Sequence, residues 1–323
     1  MSATLNIAIA AEFELCEKLA EALEQSQLDI TQLSIVDISP FTEEQGIRFN
    51  NKSVAQIKPE DVEWSEWHYL FFAGDVDQVT YVAKAAASGC IVIDMKGICA
   101  ALQDVPVVVP TVNEQDLTEL RQRNIVSLPD PQVTQLSLAI AQLAENNTLK
   151  QVIVTSLLPA SYTNADKVSQ LAGQTARLLN GIPLDEAEQR LAFDVFPIFN
   201  PMLVNQTQKI FPQLENIIFH AIQVPVFYGT GQMVSVLSDY QLEAQAQLTS
   251  WSQHELLVYH AEKMITPVTN GEVEANESRV KLHISAINEL ENGIQFWSVA
   301  DEQRFNLALM SVKLAEIVYQ QGY

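Results

Sequence analysis

Within the first 130 residues, short apolar runs alternate with longer amphipathic stretches, and this alternation constrains the fold more than any other feature of the sequence. Residues 5–10 form a short apolar run, and residues 14–23 repeat apolar positions at helical spacing. Further runs follow at 33–36, 69–73, 91–93 and 107–109, with a helical stretch at 76–87 between the 69–73 and 91–93 runs. Runs that are apolar at every position, joined through helices, read as the strands of a parallel sheet buried on both faces. Such sheets take ligands at the carboxyl ends of their strands, where Gly74 and Asp94 stand.

Residues 124–143 are the centre of the chain. Ile125 and Val126 meet a polar, proline-bearing elbow, which feeds a segment with Leu136, Ile140 and Leu143 at helical spacing. A strand, tight turn and helix in that order can aim one side chain into a cleft. The helix N-terminus then lowers a thiol pKa or stabilises an oxyanion.

Beyond the elbow, residues 151–157 read as a strand, and residues 168–180 as a helix closed by Gly181. Residues 224–228 and 280–287 alternate as a half-buried sheet would, and residues 294–299 form a last strand. In the closing helix, Leu307, Met310, Leu314 and Ile317 make a stripe suited to pack on the first domain.

The 323 residues, 48% of them hydrophobic, suffice for two domains with cores of their own. A net charge of −22 excludes binding along nucleic acid and disfavours an anionic membrane surface. Cys16, Cys90 and Cys99 are too scattered for a disulfide framework or a zinc site, which places the chain in a reducing, cytoplasmic setting. The first residues lack the basic region of an export signal, and Glu12 and Glu14 interrupt any apolar span. His68, His220, His254, His260 and His283 show no metal-ligand spacing, so no metal is expected; His220 reads as a partly buried residue leading into a strand.

Several separated motifs, in order, carry a family resemblance: A-S-G-C-I-V-I-D (87–94), V-V-P-T-V-N (108–113), L-P-D-P with Gln135, L-A-G-Q-T-A-R-L-L-N-G-I-P (171–183), A-F-D-V-F-P (192–197), Q-V-P-V-F-Y-G-T-G-Q-M-V (223–234) and Q-F-W-S-V-A-D (295–301). The chain resembles the aspartate-semialdehyde dehydrogenase family nearly end to end, and most of all its Usg-type branch. The resemblance implies an α/β fold: a Rossmann-type domain of residues 1–130 plus the returning C-terminal helix 303–323, and an α+β dimerisation domain of residues 131–302.

It also implies where chemistry should sit, and each position is changed. The nucleophile position falls on Pro131, with Gln135 following; the general-base position falls on Thr230. The substrate positions fall on Met202, Gln206 and Gln223, where the enzymes carry charged groups. The glycine loop is replaced by Ala10, Ala11, Glu12 and Phe13, and with Glu14 close by, two carboxylates would repel a pyrophosphate. Asp37 stands where a Rossmann acid holds a ribose hydroxyl, and Ser39 and Pro40 where an arginine would favour NADP. Asp301 and Arg304 survive from a motif near the nicotinamide and also suit an ion pair at i, i+3.

Three readings follow. The first is a non-catalytic homodimer without a bound cofactor. The second is an oxidoreductase with an altered site, using NADP or NAD by family resemblance and Gly74, Asp94, Asn113, Gln135 and Arg304 as cleft groups. The third is an interaction protein that pairs with a paralogous dehydrogenase.

Overall fold

A computed structural model describes residues 4–39, 46–277 and 280–323, with the side chains of 273–277 left aside; Pro40 lies outside the described residues. The chain divides into two units, Met1–Thr134 with Asn306–Tyr323, and Gln135–Phe305.

In the first unit the alternation read from the sequence becomes β1 (Leu5–Ala10), α1 (Phe13–Glu24), β2 (Ile30–Val36), a hairpin of β3 (Arg48–Phe49) and β4 (Lys52–Ser53), β5 (Ala55–Ile57), β6 (Tyr69–Phe72), α2 (Val79–Ala87), β7 (Ile91–Asp94) and β8 (Ile125–Ser127). Six strands form one parallel sheet in the order β5-β2-β1-β6-β7-β8. Ile7, Ile9, Leu70, Phe72, Val92 and Ile93 are fully buried, which is why these strands carry no polar alternation.

Two elements of this unit differ from the sequence reading. Residues 107–109 form no strand: Val107 makes an isolated bridge with Ser127, between Pro106 and Pro110, whose missing N–H groups prevent a ladder. The stretch 76–87 starts as a short 3₁₀ turn, Val76–Gln78, before α2 begins at Val79.

The second unit holds α3, which starts at Pro131 before the division and ends at Asn146, then β9 (Leu149–Leu158), α4 (Ala165–Leu179), β10 (Phe196–Ile198), α5 (Met202–Ile210), β11 (Ile217–Gln223), β12 (Thr230–Ser238), α6 (Ala244–Gln253), β13 (Leu257–His260), α7 (Pro267–Glu277), β14 (Leu282–Leu290) and β15 (Gly293–Ala300). Its mixed sheet runs β10-β11-β9-β12-β15-β14-β13. Asn164 caps α4 by accepting the Lys167 N–H at 3.0 Å, and Gly181 beyond the far end takes φ +71°.

One face of this sheet is sealed by α3 and α6. Trp251 of α6 is buried, packs edge-on against Phe296 at 5.0 Å and donates its indole N–H to Ala139 O of α3. On the other face Ile153, Leu157, Met233, Leu237 and Trp297 are half-buried. Residues 224–228, read above as a strand, are a loop, because Pro225 interrupts pairing after Gln223; His220 lies exposed on β11 instead of partly buried.

The chain closes with a π-helical stretch, Glu302–Leu309, and α8 (Met310–Gln320). In the first unit α8 packs on α1 and β7 with Met310 and Leu314 fully buried, as the stripe required, while Ile317 is half-buried.

Candidate functional site

In the first unit, Ala10 and Ala11 are buried and Glu12 is the N-cap residue of α1, its carbonyl accepting the Cys16 N–H at 3.0 Å. Phe13 and Glu14 start the helix. Two carboxylates therefore stand at an N-terminus whose positive dipole end otherwise attracts an anion.

Gly74 follows β6. A Cβ there would lie 2.4 Å from Gln78 Oε1 and 2.8 Å from Phe72, so glycine makes room for a side chain of the same chain. Gln78 accepts the Asp75 N–H at 2.9 Å and donates to Ile38 O at 2.7 Å, spanning the carboxyl ends of β6 and β2. Asp37 and Ser39, just past β2, are half-buried.

Asp94 is fully buried at the end of β7. One of its oxygens accepts from Ser127 Oγ and from the Cys99 N–H, each at 2.7 Å. Burial raises its pKa and these donors pull it back. Asn113 accepts the Val109 N–H at 2.8 Å and donates to Val107 O and Asp116, which braces the irregular strand-like segment.

At the elbow, Pro131 is the first residue of α3 and Asp130 caps the helix, accepting the Gln132 N–H at 2.9 Å on its side chain. The three cysteines are buried, and burial pushes each thiol up to about 12, so none is a thiolate near neutral pH.

In the second unit, Gln223 spends its amide on Leu158 O at 3.0 Å and Val224 O at 3.3 Å. Met202 and Gln206 lie on α5, half-buried and buried respectively. Thr230, Gln135, Gln232 and Ser298 are fully buried together: Gln135 Nε2 donates to Ser298 Oγ at 3.0 Å and reaches Thr230 O at 3.4 Å. Thr230 Oγ1 and Gln135 Oε1 have no hydrogen-bond partner.

Beside Thr230 stands an acid that the sequence reading passed over. Glu302 is 1% exposed, accepts the Gly229 N–H at 2.9 Å and the Ser161 hydroxyl, and has its pKa raised to about 8, first by burial and then by Asp301. The available signal was an acid at the junction between an apolar strand and a closing helix. Asp301 accepts the backbone N–H groups of Gln303 and Arg304 at 2.9 and 2.8 Å, so it caps the helical stretch and meets Arg304 through the main chain.

Among the described residues no group of three His, Cys, Asp or Glu is placed to hold a metal, and no helix is long and apolar enough to cross a membrane. No family model matches the chain. A USG-1 protein homologue of Haemophilus influenzae is 64% identical over all of both chains. An aspartate-semialdehyde dehydrogenase of a Shewanella species is 30% identical over 86% of each chain. The crystal structure of aspartate-semialdehyde dehydrogenase II of Vibrio cholerae, complexed with ASA, superposes with a TM-score of 0.91 at 26% identity over the whole of both chains.

Proposed function

Because the chain belongs to the aspartate-semialdehyde dehydrogenase family, in its Usg-type branch, we propose that it is a non-catalytic member, a homodimeric scaffold without dehydrogenase turnover. The observation that carries this reading is Pro131 at the first position of α3, where a side chain aimed from the elbow would have to attack. Proline offers neither a nucleophile nor an N–H, and every cysteine elsewhere is a buried, protonated thiol. Thr230 supplies no base that titrates near neutral pH, and the Gln223 amide is engaged by main-chain carbonyls.

A dinucleotide does not fit the residues present. Glu12 and Glu14 occupy the anion-attracting end of α1, and the Gln78 side chain bridges the strand ends over Gly74. Dimerisation is supported by the half-exposed apolar face of the second sheet and by Leu179, Phe193, Val195 and Phe199, all more than half exposed. A second copy matches that surface in chemistry, and an obligate interface of this kind buries on the order of 2,000 Å².

The test is phosphate-dependent oxidation of aspartate semialdehyde with NADP. No turnover is expected from the purified protein, nor from Pro131→Cys alone; contaminant-free turnover by the native chain overturns the reading. Light scattering at micromolar protein should give twice the chain mass, and NADP should leave the melting temperature unchanged. Mixed dimers with an active paralogous dehydrogenase would add a regulatory role to the same scaffold, and co-purification detects them.

A further inference from the structure

We propose that the buried polar cluster around Glu302 in the second unit is a binding site for a primary ammonium group, with Glu302 as its counter-ion. The inference does not depend on whether the chain turns over a substrate, and it rests on side chains that no relative's name describes.

The cluster is continuous. Ser161 donates to one oxygen of Glu302 and the Gly229 N–H to the other; Thr230 follows Gly229 directly; Gln135 reaches Thr230 O and Ser298 Oγ. Glu302 has Asp301 as its charged neighbour, and the groups acting on its charge include no cation. A carboxylate in this position is opposed by desolvation and by like charge, and two hydrogen bonds offset only part of that cost.

Two further oxygens point to a missing donor. Gln135 and Thr230 are fully buried, yet Gln135 Oε1 and Thr230 Oγ1 have no partner. The Gln135 amide orientation is set by its neighbours: Thr230 O is a carbonyl and can only accept, so the nitrogen must face it and the free atom is the oxygen. Leaving such atoms unpaired costs about 1–3 kcal/mol each. An ammonium group carries three N–H donors and one positive charge, which is the complement of two orphaned oxygens and an uncompensated acid. A carboxylate or phosphate would meet oxygens and repulsion. The loop that donates to Glu302 also carries Phe227 and Tyr228, both partly exposed, which offers apolar surface for the alkyl portion of an amine.

Burial holds the Glu302 carboxyl at about 8, so at pH 7 it is mostly protonated. Seating an ammonium ion beside it favours the carboxylate, and the displaced proton leaves to solvent. Binding should therefore release protons at pH 7.

The experiment is titration calorimetry of the full chain with n-butylammonium chloride, against sodium butyrate and n-butanol as matched probes, in two pH 7 buffers of different ionisation heat. Binding of butylammonium alone, with proton release, is the expected result. Glu302→Gln should weaken it at least tenfold and abolish proton release, and Thr230→Val should weaken it several-fold. No binding of the amine, equal binding of butyrate, or unchanged affinity in a folded Glu302→Gln chain overturns the proposal. If that variant does not fold, Thr230→Val and the contrast between amine and butyrate on the native chain still decide. Dehydrogenase turnover is read in a separate assay, so failure of this proposal and failure of the non-catalytic reading are distinguishable.

Discussion

Asp94 in the first unit and Glu302 in the second are both buried at the end of a sheet, and their donors come from different places. Asp94 sits in a turn of its own making: the Cys99 N–H closes back on it, and Ser127 of the adjoining strand completes the set. Glu302 draws its donors from Ser161 and Gly229, far away in sequence, and has Asp301 for a charged neighbour. The first acid is a local staple of the sheet edge. The second joins two loops, and neither acid has a cation among the groups acting on its charge. Burial raises the pKa of both carboxyls, so each makes stability depend on pH, and they differ in where their donors come from.

Asp94→Ala sharpens the contrast most. It strands the Ser127 hydroxyl and the Cys99 N–H and leaves a hole, so urea unfolding should show a loss of about 3 kcal/mol or more. Gly74→Ala comes next: the new Cβ would press on Gln78 and Phe72, and about 1–3 kcal/mol should be lost. If Glu302→Gln costs as much as Asp94→Ala at pH 7, the distinction between a staple of the sheet edge and an acid bridging two loops is wrong.

Both acids also link stability to pH in the same direction. The folded Glu302 carboxyl binds its proton more tightly than the unfolded one, about 8 against an ordinary 4.5, so native protein holds more protons between those values. Glu302 should make stability fall as pH rises through that window, by at most about 1.4 kcal/mol per pH unit, and Glu302→Gln should remove that contribution. His283 works the other way. Burial, His260 at 2.8 Å and Lys281 lower its pKa to about 4, so native protein holds fewer protons between 4 and 6.5 and loses stability as pH falls through that range. The two slopes oppose each other below 6.5. The Glu302 effect is therefore read by comparing native protein with Glu302→Gln between pH 6.5 and 8, and the His283 effect by comparing native protein with His283→Gln between 4 and 6.5.

The parallel sheet was legible because continuous apolar runs between helices admit few other folds, and the elbow because Asp130 and Pro131 are residues that start helices. Pro106, Pro110 and Pro225 were visible too, yet apolar content at 107–109 and 224–228 outweighed them in the reading, and both strands failed. The replaced positions Pro131, Thr230 and Gln223 could be found by their motifs. What occupies the vacated space could not. Gln78 over Gly74 and Glu302 against Gly229 are contacts 4 and 73 residues apart whose meaning depends on side-chain direction, which neither spacing nor composition carries.

Thr230→Val carries the smallest expected change in stability and tests the comparison at its finest point. The swap keeps the shape of the side chain and removes a hydroxyl that is fully buried and unpartnered. Removing a hydrogen-bonded hydroxyl exposes its partner to a desolvation cost, but here no partner is left behind, so the balance reverses. β12 also favours a β-branched residue at this position, and valine keeps that preference. The expected result is a chain as stable as the native one or more stable by up to about 1 kcal/mol, measured by urea unfolding without ligand. A loss above about 1 kcal/mol would mean that the hydroxyl is satisfied in the folded protein, for example by an ordered water held between Thr230 and Gln135. The case for a missing donor in the second unit's cluster would then fall.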